Sequence, residues 1–286
     1  MSRPTIELEG NFRFGRLAFQ FNDKKLGMEF KRLYRLENRS DDRVLGSFKL
    51  IHNDSGFLLV STFGHCITGS LASLLGAIDA FLDERIRSQA SSDLCSVHAA
   101  TVVNSGNAIT CIGQSGSGKT TLSVFLAIES HGGYLGDEYA FLDLTNGTIC
   151  HEKHPIHVKT ASPHAATARM AGKEYLSVLS SCNVLSNVYA PEDFGMECLE
   201  GGFLLATIVF PQFTHGKSST AIRRAAVKEL PGLLMPSSVG NTNRALLFQS
   251  LMHLIARNHI ALYRVQYGDA KDAARKIIAR IKEDYI

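Results

Sequence analysis

The stretch Gly113-Gln114-Ser115-Gly116-Ser117-Gly118-Lys119-Thr120 fits the pattern G-x-x-x-x-G-K-[ST] at every fixed position. An apolar run, NAITCIG (107–113), precedes it, and TTLSVFLAIES (120–130), with apolar residues on one helical face, follows it. The order strand, glycine-rich loop, helix predicts a loop whose backbone N–H groups surround phosphate oxygens. A Gly/Ser linker that carried GKT by chance would lack these flanking elements.

Each residue type in this loop has an expected task. The glycines leave room for backbone N–H groups around phosphates, Lys119 reaches the outer phosphates, and the Thr120 hydroxyl can bind Mg²⁺. The predicted nucleotide-binding residues are Gly113, Ser115, Gly116, Ser117, Gly118, Lys119, Thr120 and Thr121. The loop predicts nucleotide binding and leaves the reaction open.

An acidic pair, Asp137-Glu138, follows the predicted helix within GYLGDEY (133–139). A P-loop protein needs a carboxylate near its Mg²⁺, so one acid could hold the metal while the other accepts a hydroxyl proton. A solvated acidic turn is the alternative interpretation. His98, at the start of the predicted neighbouring strand VHAATVV (97–103), is by itself equally well explained as a hydrogen-bonded core residue.

Several other polar residues are given ordinary interpretations. Four histidines have a spacing that matches no recognised structural zinc motif, so we predict surface residues without metal at His151, His154, His157 and His164. Three cations could contact phosphate, although a solvated surface position is the favoured interpretation for Lys159, Arg223 and Arg224. The cap of the helix that carries Leu247 and Leu251 is predicted at Asn241 or Thr242.

The sequence before the loop has patterns that are typical of β-strands. Leu17, Phe19 and Phe21 alternate with polar or small residues, as in a half-buried strand, and SFKLI (47–51) and FLLVSTF (57–63) flank a turn. Apolar residues at helical spacing predict a helix over 70–86 that Ser70 caps. The polar stretch RSQASSD (87–93) predicts a boundary between an N-terminal β-rich module with one helix, 1–92, and a P-loop domain, 93–286.

Beyond the P-loop helix, alternating strands and helices predict an α/β fold. YLGDEYAFLDL (134–144) is predicted as a strand, interrupted by acids, after the helix ends at Gly132-Gly133, with HEKHPIHVK (151–159) as its partner. FLLATIVFP (203–211) has the continuous apolar character of a central strand that is covered on both faces. Two further helices, one around Leu251 and one around Ile277, are predicted to end the chain.

Composition excludes several classes of protein. The 286 residues are 45% hydrophobic and 20% charged, a composition typical of a globular protein. The net charge is only +3 and the sequence has no block of five like charges, so we expect no nucleic-acid partner. The longest apolar stretch, 201–211, is shorter than the roughly 20 residues of a membrane span. Charges in MSRPTIELEG (1–10) disfavour a secretory signal, so we expect a cytoplasmic protein whose six cysteines are free.

The order His98-Ala-Ala, strand, GQSGSGKTTLS (113–123), helix, GDE (136–138) resembles the HPr serine kinase/phosphorylase superfamily, which shares its nucleotide-binding core with phosphoenolpyruvate carboxykinase. It is most similar to a divergent HPr-kinase-related branch that includes kinases acting on a serine of lasso-peptide precursors, and Val209-Phe210-Pro211 also fits that branch. The resemblance covers 93–286. Here MECLEGGF (196–203) replaces an arginine-containing E-x-R-G-x-G stretch, so neither phosphorylase activity nor HPr as substrate is implied.

The resemblance implies a P-loop kinase core that uses ATP and Mg²⁺ to phosphorylate a hydroxyl, with serine of a peptide or small protein as the expected acceptor. It implies Lys119 on the phosphates, Thr120 and Glu138 on Mg²⁺, Asp137 as the base and His98 near the metal or the γ-phosphate. Which of the two acids is the base stays open. A homo-oligomer is also implied. The alternatives are a kinase of a small molecule, such as free serine or a sugar, and a nucleotide-gated binding protein with slow ATPase activity.

Overall fold

The computed structural model describes residues 5–12, 15–38, 44–53, 56–87, 94–152, 154–159, 176–179, 185–234, 238–239 and 244–284. The chain divides into two compact units: the first combines Met1–Gln89 with Lys153–Ala190, and the second combines Ala90–Glu152 with Pro191–Ile286. The stretch 153–190 is therefore described with the first unit, and the domain boundary after residue 92 stays a prediction.

The strands, numbered along the chain, are β1 (Ile6–Phe12), β2 (Gly15–Phe21), β3 (Glu37–Asn38), β4 (Gly46–Asn53), β5 (Gly56–Ser61), β6 (Cys66–Gly69), β7 (Leu94–Asn104), β8 (Asn107–Ile112), β9 (Gly133–Gly136), β10 (Tyr139–Asp143), β11 (Thr148–His151), β12 (Ile156–Lys159), β13 (Leu176–Leu179), β14 (Leu185–Tyr189), β15 (Phe203–Phe213), β16 (Ala221–Arg224), β17 (Ser238–Val239) and β18 (Ala261–Tyr267). The α-helices of the described residues are α1 (Lys24–Tyr34), α2 (Leu71–Arg87), α3 (Lys119–Ser130), α4 (Leu230–Leu234), α5 (Arg244–Arg257) and α6 (Ala270–Asp284). Two 3₁₀ turns span Pro191–Phe194 and Val227–Glu229. This mixture of sheets and helices is an α/β fold, as predicted.

The first unit contains a six-stranded sheet, in the order β3-β1-β2-β4-β5-β6, and a three-stranded sheet, β12-β14-β13. The predicted hairpin is confirmed by the antiparallel pairing of β4 with β5. The predicted helix is α2, and the Ser70 hydroxyl caps it by accepting a hydrogen bond from the Ser73 N–H at 3.2 Å. Leu74, Ile78 and Leu82 are fully buried, so the apolar stripe of α2 faces the core as its spacing predicts.

Helix α1 shows how local sequence fixes an element of this unit. Asp23 caps it, because its carboxylate accepts a hydrogen bond from the Leu26 N–H at 3.0 Å, and Arg35 ends it in a left-handed conformation. Phe30, in the middle of the buried face, has its ring centroid 5.2 Å from that of Phe21 and 4.3 Å from that of Tyr34. The contact with Phe21, which lies on β2, attaches the helix to the sheet, and the contact with Tyr34 lies within the helix.

The second unit is built on a nine-stranded sheet whose main order is β11-β10-β7-β8-β15-β18-β16. Its middle strands β8, β15 and β18 are mutually parallel, so their carboxyl ends lie at the same edge of the sheet. Residues 207–210 of β15 are all buried, which confirms a central strand covered on both faces for this part of the predicted 203–211, whereas Leu204 near its start is exposed. The loop 113–118 leaves this same edge directly after β8.

One sequence prediction of a strand was confirmed and its partner was wrong. The stretch 134–144 is interrupted at its acids, as predicted: it forms two strands, β9 and β10, which both pair with β7 and leave Asp137 and Glu138 at the break between them. The stretch 151–159 is not one partner strand, because β11 pairs with β10 whereas β12 belongs to the three-stranded sheet. Pro155, which lacks an N–H group, lies between β11 and β12 and cannot continue a ladder.

Other predictions differ in detail from the structure. Helix α3 ends at Ser130, where His131 and not a glycine takes the left-handed position. His154 is buried, contrary to the prediction of a surface residue, and His151 is half-buried. His164, Cys182 and the predicted caps Asn241 and Thr242 lie outside the described residues. The other cysteines, Cys66, Cys95, Cys111, Cys150 and Cys198, are free, and none of the described helices has the length and apolar character that crossing a membrane requires.

Replacing Phe30 by Ala is expected to lower the free energy of unfolding of the first unit by about 3 to 5 kcal/mol, because it leaves a cavity among packed rings. The measurement is urea-induced unfolding of the full chain. Met28→Ala is the matched control, since Met28 lies on the same helix but is 52% exposed, and it should change stability by no more than about 0.5 kcal/mol. Equal midpoints for the two variants would contradict the packing role of Phe30.

Candidate functional site

The loop after β8 curls because two of its glycines are left-handed. Gly116 has φ +84° and Gly118 has φ +94°, values that side-chain-bearing residues rarely adopt. Between them, the Ser117 N–H donates to the Gln114 carbonyl at 3.1 Å and closes a turn. A loop of this kind turns successive backbone N–H groups toward its concave side, as the sequence pattern predicts for a phosphate-binding loop.

Hydrogen bonds from the carboxyl ends of the parallel strands β15 and β18 hold the loop 113–118 in place. At the end of β18, the Tyr267 hydroxyl donates to the Gly118 carbonyl at 2.9 Å, and at the end of β15 the Phe213 N–H donates to the Ser117 carbonyl at 3.0 Å. A Cβ atom on Gly118 would lie 2.0 Å from the Tyr267 oxygen. Gly118 is therefore required both by its backbone conformation and by the close approach of Tyr267.

Helix α3 begins directly after Gly118, which offers no side-chain cap to its first N–H groups. Uncapped N–H groups and the positive end of the helix dipole favour an anion at this position. Lys119, the first helical residue, is buried, and its ammonium group donates to the Gln114 carbonyl at 3.2 Å. A buried cation therefore lies beside the loop.

The carboxylate of Asp137 lies against the start of the same helix. The Thr120 hydroxyl donates to Asp137 Oδ2 at 2.8 Å, and Asp137 is only 1% exposed. Burial raises the pKa of the Asp137 carboxyl, and repulsion from Glu138 raises it further, while the Thr120 bond and the charge of Lys119 oppose the rise. The pair Thr120 and Asp137 joins the P-loop helix to the β9–β10 break.

Two buried oxygens in this group lack a hydrogen-bond partner among the described residues, Asp137 Oδ1 and Ser117 Oγ. An unsatisfied buried polar atom is unfavourable, and its presence in a folded protein calls for an explanation such as a bound ion or ligand. Hydroxyl and carboxylate oxygens are the ligands that Mg²⁺ accepts in proteins. The donor set of Thr120 and Asp137 therefore fits the divalent cation that accompanies a nucleotide.

Glu138 and His98 form a second, more accessible pair. Glu138 Oε2 lies 2.7 Å from His98 Nε2, and both side chains are about one-quarter exposed. Glu138 has φ +68°, an uncommon conformation for a residue with a side chain, and its carbonyl accepts a hydrogen bond from the Ala99 N–H at 3.0 Å. The break between β9 and β10 thus directs Asp137 inward and leaves Glu138 beside His98, which lies opposite Tyr139 in the β7–β10 ladder.

The polar residues around this site include Thr101 and Thr110, which the sequence did not single out, and His151, which was predicted as a surface residue. His151 Nε2 lies 2.7 Å from the Thr101 hydroxyl, which in turn lies 3.1 Å from the Thr110 hydroxyl. Gly136 leaves room for this histidine, because a Cβ atom there would lie 2.4 Å from the His151 Cβ. Burial raises the pKa of the Cys111 thiol to about 12, which makes it an unreactive neighbour.

The sequence-predicted residues divide into those that the fold brings together and those that it does not. The P-loop residues, Asp137, Glu138 and His98 all lie in the second unit, with Ser115 exposed on the loop and Thr121 in the first turn of α3. Arg223 instead forms two bonds to Glu229, at 2.9 and 2.6 Å, and Arg224 pairs with Asp284 at 2.8 Å. Lys159 lies on β12, in the first unit.

No protein-family model matches this chain, and no curated protein matches it. Among solved structures, the chain is similar to the HPr(Ser) kinase/phosphatase from Coxiella burnetii, at 13% sequence identity over 57% of this chain and 89% of that one. The TM-score of this alignment is 0.25, a value too low to support an argument about fold or function. The family resemblance of the P-loop region accordingly rests on its sequence motifs.

Gly118→Ala is expected to destabilise the protein more than Gly106→Ala, a change at a turn with φ +79° that has open space around it. The control should lose about 1 to 2 kcal/mol for the left-handed backbone alone, whereas Gly118→Ala adds a clash with Tyr267. Urea unfolding of both variants measures the difference. Similar losses would show that Tyr267 does not constrain the loop.

The raised pKa of Asp137 predicts an unusual dependence of stability on pH. The folded-state pKa of Asp137 lies above the reference value of 3.8, so the protonated carboxyl contributes to the free energy of unfolding. This contribution is complete below pH 3.8 and is lost as pH rises through the folded-state pKa. Asp137→Asn should therefore be more stable than the wild type near neutral pH, in chelator, and the difference should vanish on acidification.

Asp143→Asn is the matched control for this experiment. Hydrogen bonds from Thr145 lower the pKa of Asp143, so its stabilisation is present above pH 3.8 and lost as pH falls through the lowered pKa. Asp143→Asn should accordingly be less stable than the wild type near neutral pH. Urea unfolding at a series of pH values distinguishes the two signs, and a wild type whose advantage over Asp137→Asn grows with pH would contradict the burial of a charge at Asp137.

Proposed function

We propose that the second unit binds a nucleoside triphosphate and transfers its γ-phosphoryl group to a hydroxyl group. The observation that carries this proposal is the grouping of Lys119, Thr120 and Asp137 at the start of α3, beneath a loop with two left-handed glycines. A buried ammonium group and a buried carboxylate with an unsatisfied oxygen, beside an uncapped helix end, offer partners to an anion and to a cation.

In this proposal the loop N–H groups and Lys119 bind the phosphates, and Thr120 and Asp137 hold Mg²⁺. When bound, Mg²⁺ neutralises charge on the phosphate oxygens. The family resemblance implies Thr120 and Glu138 as the Mg²⁺ ligands. The 2.8 Å contact between Thr120 and Asp137 instead supports Asp137 as the metal ligand. Its unsatisfied Oδ1 supports the same assignment.

Glu138 and His98 then take the role of proton acceptor. Their side chains are partly exposed and 2.7 Å apart, so a proton taken from an approaching hydroxyl can be shared between carboxylate and imidazole. The acceptor oxygen forms a bond to the γ-phosphorus, the bond from that phosphorus to the bridging oxygen breaks, and a nucleoside diphosphate leaves. Placement of the reactants and neutralisation of charge supply most of the rate enhancement in such a transfer.

We further propose ATP as the donor and serine of a peptide or small protein as the acceptor. The support is the resemblance of His98-Ala-Ala, GQSGSGKTTLS (113–123) and GDE (136–138) to the HPr-kinase-related branch. The same resemblance supports a homo-oligomer. A second candidate function is slow nucleotide hydrolysis that drives a binding protein, because the accessible Glu138 carboxylate could also orient a water molecule.

The test incubates the purified full chain with Mg²⁺ and γ-labelled ATP, separately with a cell extract of small proteins and peptides and with free serine. Lys119→Ala should lower transfer on the order of a hundredfold or more, because it removes a charge contact to the phosphates. Glu138→Gln should lower the transfer rate while nucleotide affinity is retained. Lys228→Ala, an exposed lysine in a 3₁₀ turn, is the control and should behave like the wild type.

Label on a discrete peptide or protein supports the peptide kinase, and label on serine supports a small-molecule kinase. Label that appears only as free phosphate, and depends on Lys119, favours the hydrolysing binding protein. Equal nucleotide binding by the wild type and Lys119→Ala would overturn the whole proposal. The same assay with Asp137→Asn over a range of Mg²⁺ concentrations tests the metal ligand, since the variant should require more Mg²⁺ than the wild type.

A further inference from the structure

Three potential metal ligands meet in the first unit, and one of them, Asp79, lies far along the sequence from the other two, His154 and His157. Asp79 lies on α2, His157 lies on β12, and His154 precedes that strand by two residues. One ligand atom from each lies within 4.8 Å of the others. His154 and Asp79 are buried, with 3% and 8% of their surface exposed, and His157 is mostly buried.

The spacing of these atoms differs from that of a hydrogen-bonded cluster. His154 Nε2 lies 3.6 Å from Asp79 Oδ1, and His157 Nε2 lies 3.4 Å from Asp79 Oδ2. Both distances exceed the 2.7–3.2 Å of ordinary N–H···O hydrogen bonds. Two ligands that each bind a tetrahedral Zn²⁺ at about 2.0–2.1 Å lie roughly 3.4 Å apart, which is close to the spacing seen here.

The surroundings of Asp79 resemble those of a metal-binding carboxylate. The Tyr34 hydroxyl donates to Asp79 Oδ1 at 2.5 Å and so fixes the orientation of the carboxylate. The ring centroids of His154 and Tyr34 lie 6.0 Å apart, and those of His154 and His157 lie 5.1 Å apart. Hydrogen bonds and packing of this kind around first ligands orient metal sites in general.

We propose that Asp79, His154 and His157 bind a divalent transition-metal ion of the Zn²⁺ class, with the fourth position open to a solvent molecule. Two imidazoles and one carboxylate suit Zn²⁺ or Co²⁺, whereas Mg²⁺ and Ca²⁺ prefer oxygen ligands alone. The ion would join α2 to the chain where it returns to the first unit at 153–159. All three ligands belong to the first unit, so this proposal is independent of the proposed phosphoryl transfer.

The spacing of the histidines matches no zinc motif, and alternation of faces along a single strand would separate His151 from His154, so the sequence predicts no metal here. Alternation of faces applies within a regular strand, but β12 begins at Ile156, so His154 lies outside the strand and on the far side of Pro155. The third ligand, Asp79, comes from a helix that ends well before these histidines in the sequence. Only the fold brings it to them.

The experiment titrates the chelator-treated full chain with Co²⁺, in excess Mg²⁺, and follows the visible absorption of tetrahedral Co²⁺. The wild type should bind one equivalent at this site. His157→Ser and His157→Cys form a matched pair, since both side chains are small but only the thiolate is a good ligand. His157→Ser should lower Co²⁺ affinity at least about tenfold. His157→Cys should retain binding and add a sulfur-to-metal absorption band in the near ultraviolet.

His215→Ser, at an exposed histidine of the second unit, is the control and should leave the titration unchanged. A wild type without saturable binding, or Co²⁺ binding that His157→Ser leaves intact, would overturn the proposal and leave a metal-free polar cluster. Should His157→Ser fail to fold, the thiolate band of His157→Cys still decides whether residue 157 contacts the ion. Co²⁺ binding by folded His157→Cys with the affinity of the wild type and without that band would also overturn the proposal.

Discussion

The carboxylate of Asp137 is withdrawn from solvent, and a buried charge destabilises a fold unless other groups stabilise it. The Thr120 hydroxyl and the ammonium group of Lys119 partly supply that stabilisation, and both come from the first turn of α3. Because the three groups need one another, the helix start, the loop before it and the β9–β10 break are fixed in a single arrangement. The architecture of the second unit provides the frame that makes this arrangement possible.

The break between β9 and β10 assigns different environments to two adjacent acids. A continuous strand would alternate the two side chains between opposite faces of the sheet. Here β7 pairs with two short strands, β9 and β10, and Asp137 and Glu138 lie between them. Because these two residues belong to neither strand, their side chains need not alternate between the faces of the sheet. One acid becomes a buried partner of the P-loop helix, and the other lies beside His98 at the surface. Strand irregularities near functional sites often serve to redirect a side chain in this way.

A feature could be predicted from the sequence when the residues that create it lie close together along the chain. The loop, its flanking strand and α3 were predictable because glycines, Lys119 and apolar periodicity act over a few residues. The caps Ser70 and Asp23 are local for the same reason, although only Ser70 was predicted. The different environments of Asp137 and Glu138 were not predictable, because pairing with β7 and not the local pattern decides where β9 ends. The grouping of Asp79 with His154 and His157 was beyond sequence periodicity, because it requires the chain to return to the first unit after β11.

The hydrogen bond from Tyr267 to the Gly118 carbonyl joins residues 149 positions apart. During synthesis the loop sequence leaves the ribosome long before this tyrosine exists, because β15 and β18 follow β8 along the chain. Contacts of such long range form slowly, because much chain entropy is lost before they stabilise the structure. The loop therefore acquires its final shape late in folding, and a chain released before β18 would carry the complete P-loop sequence without the support that shapes it.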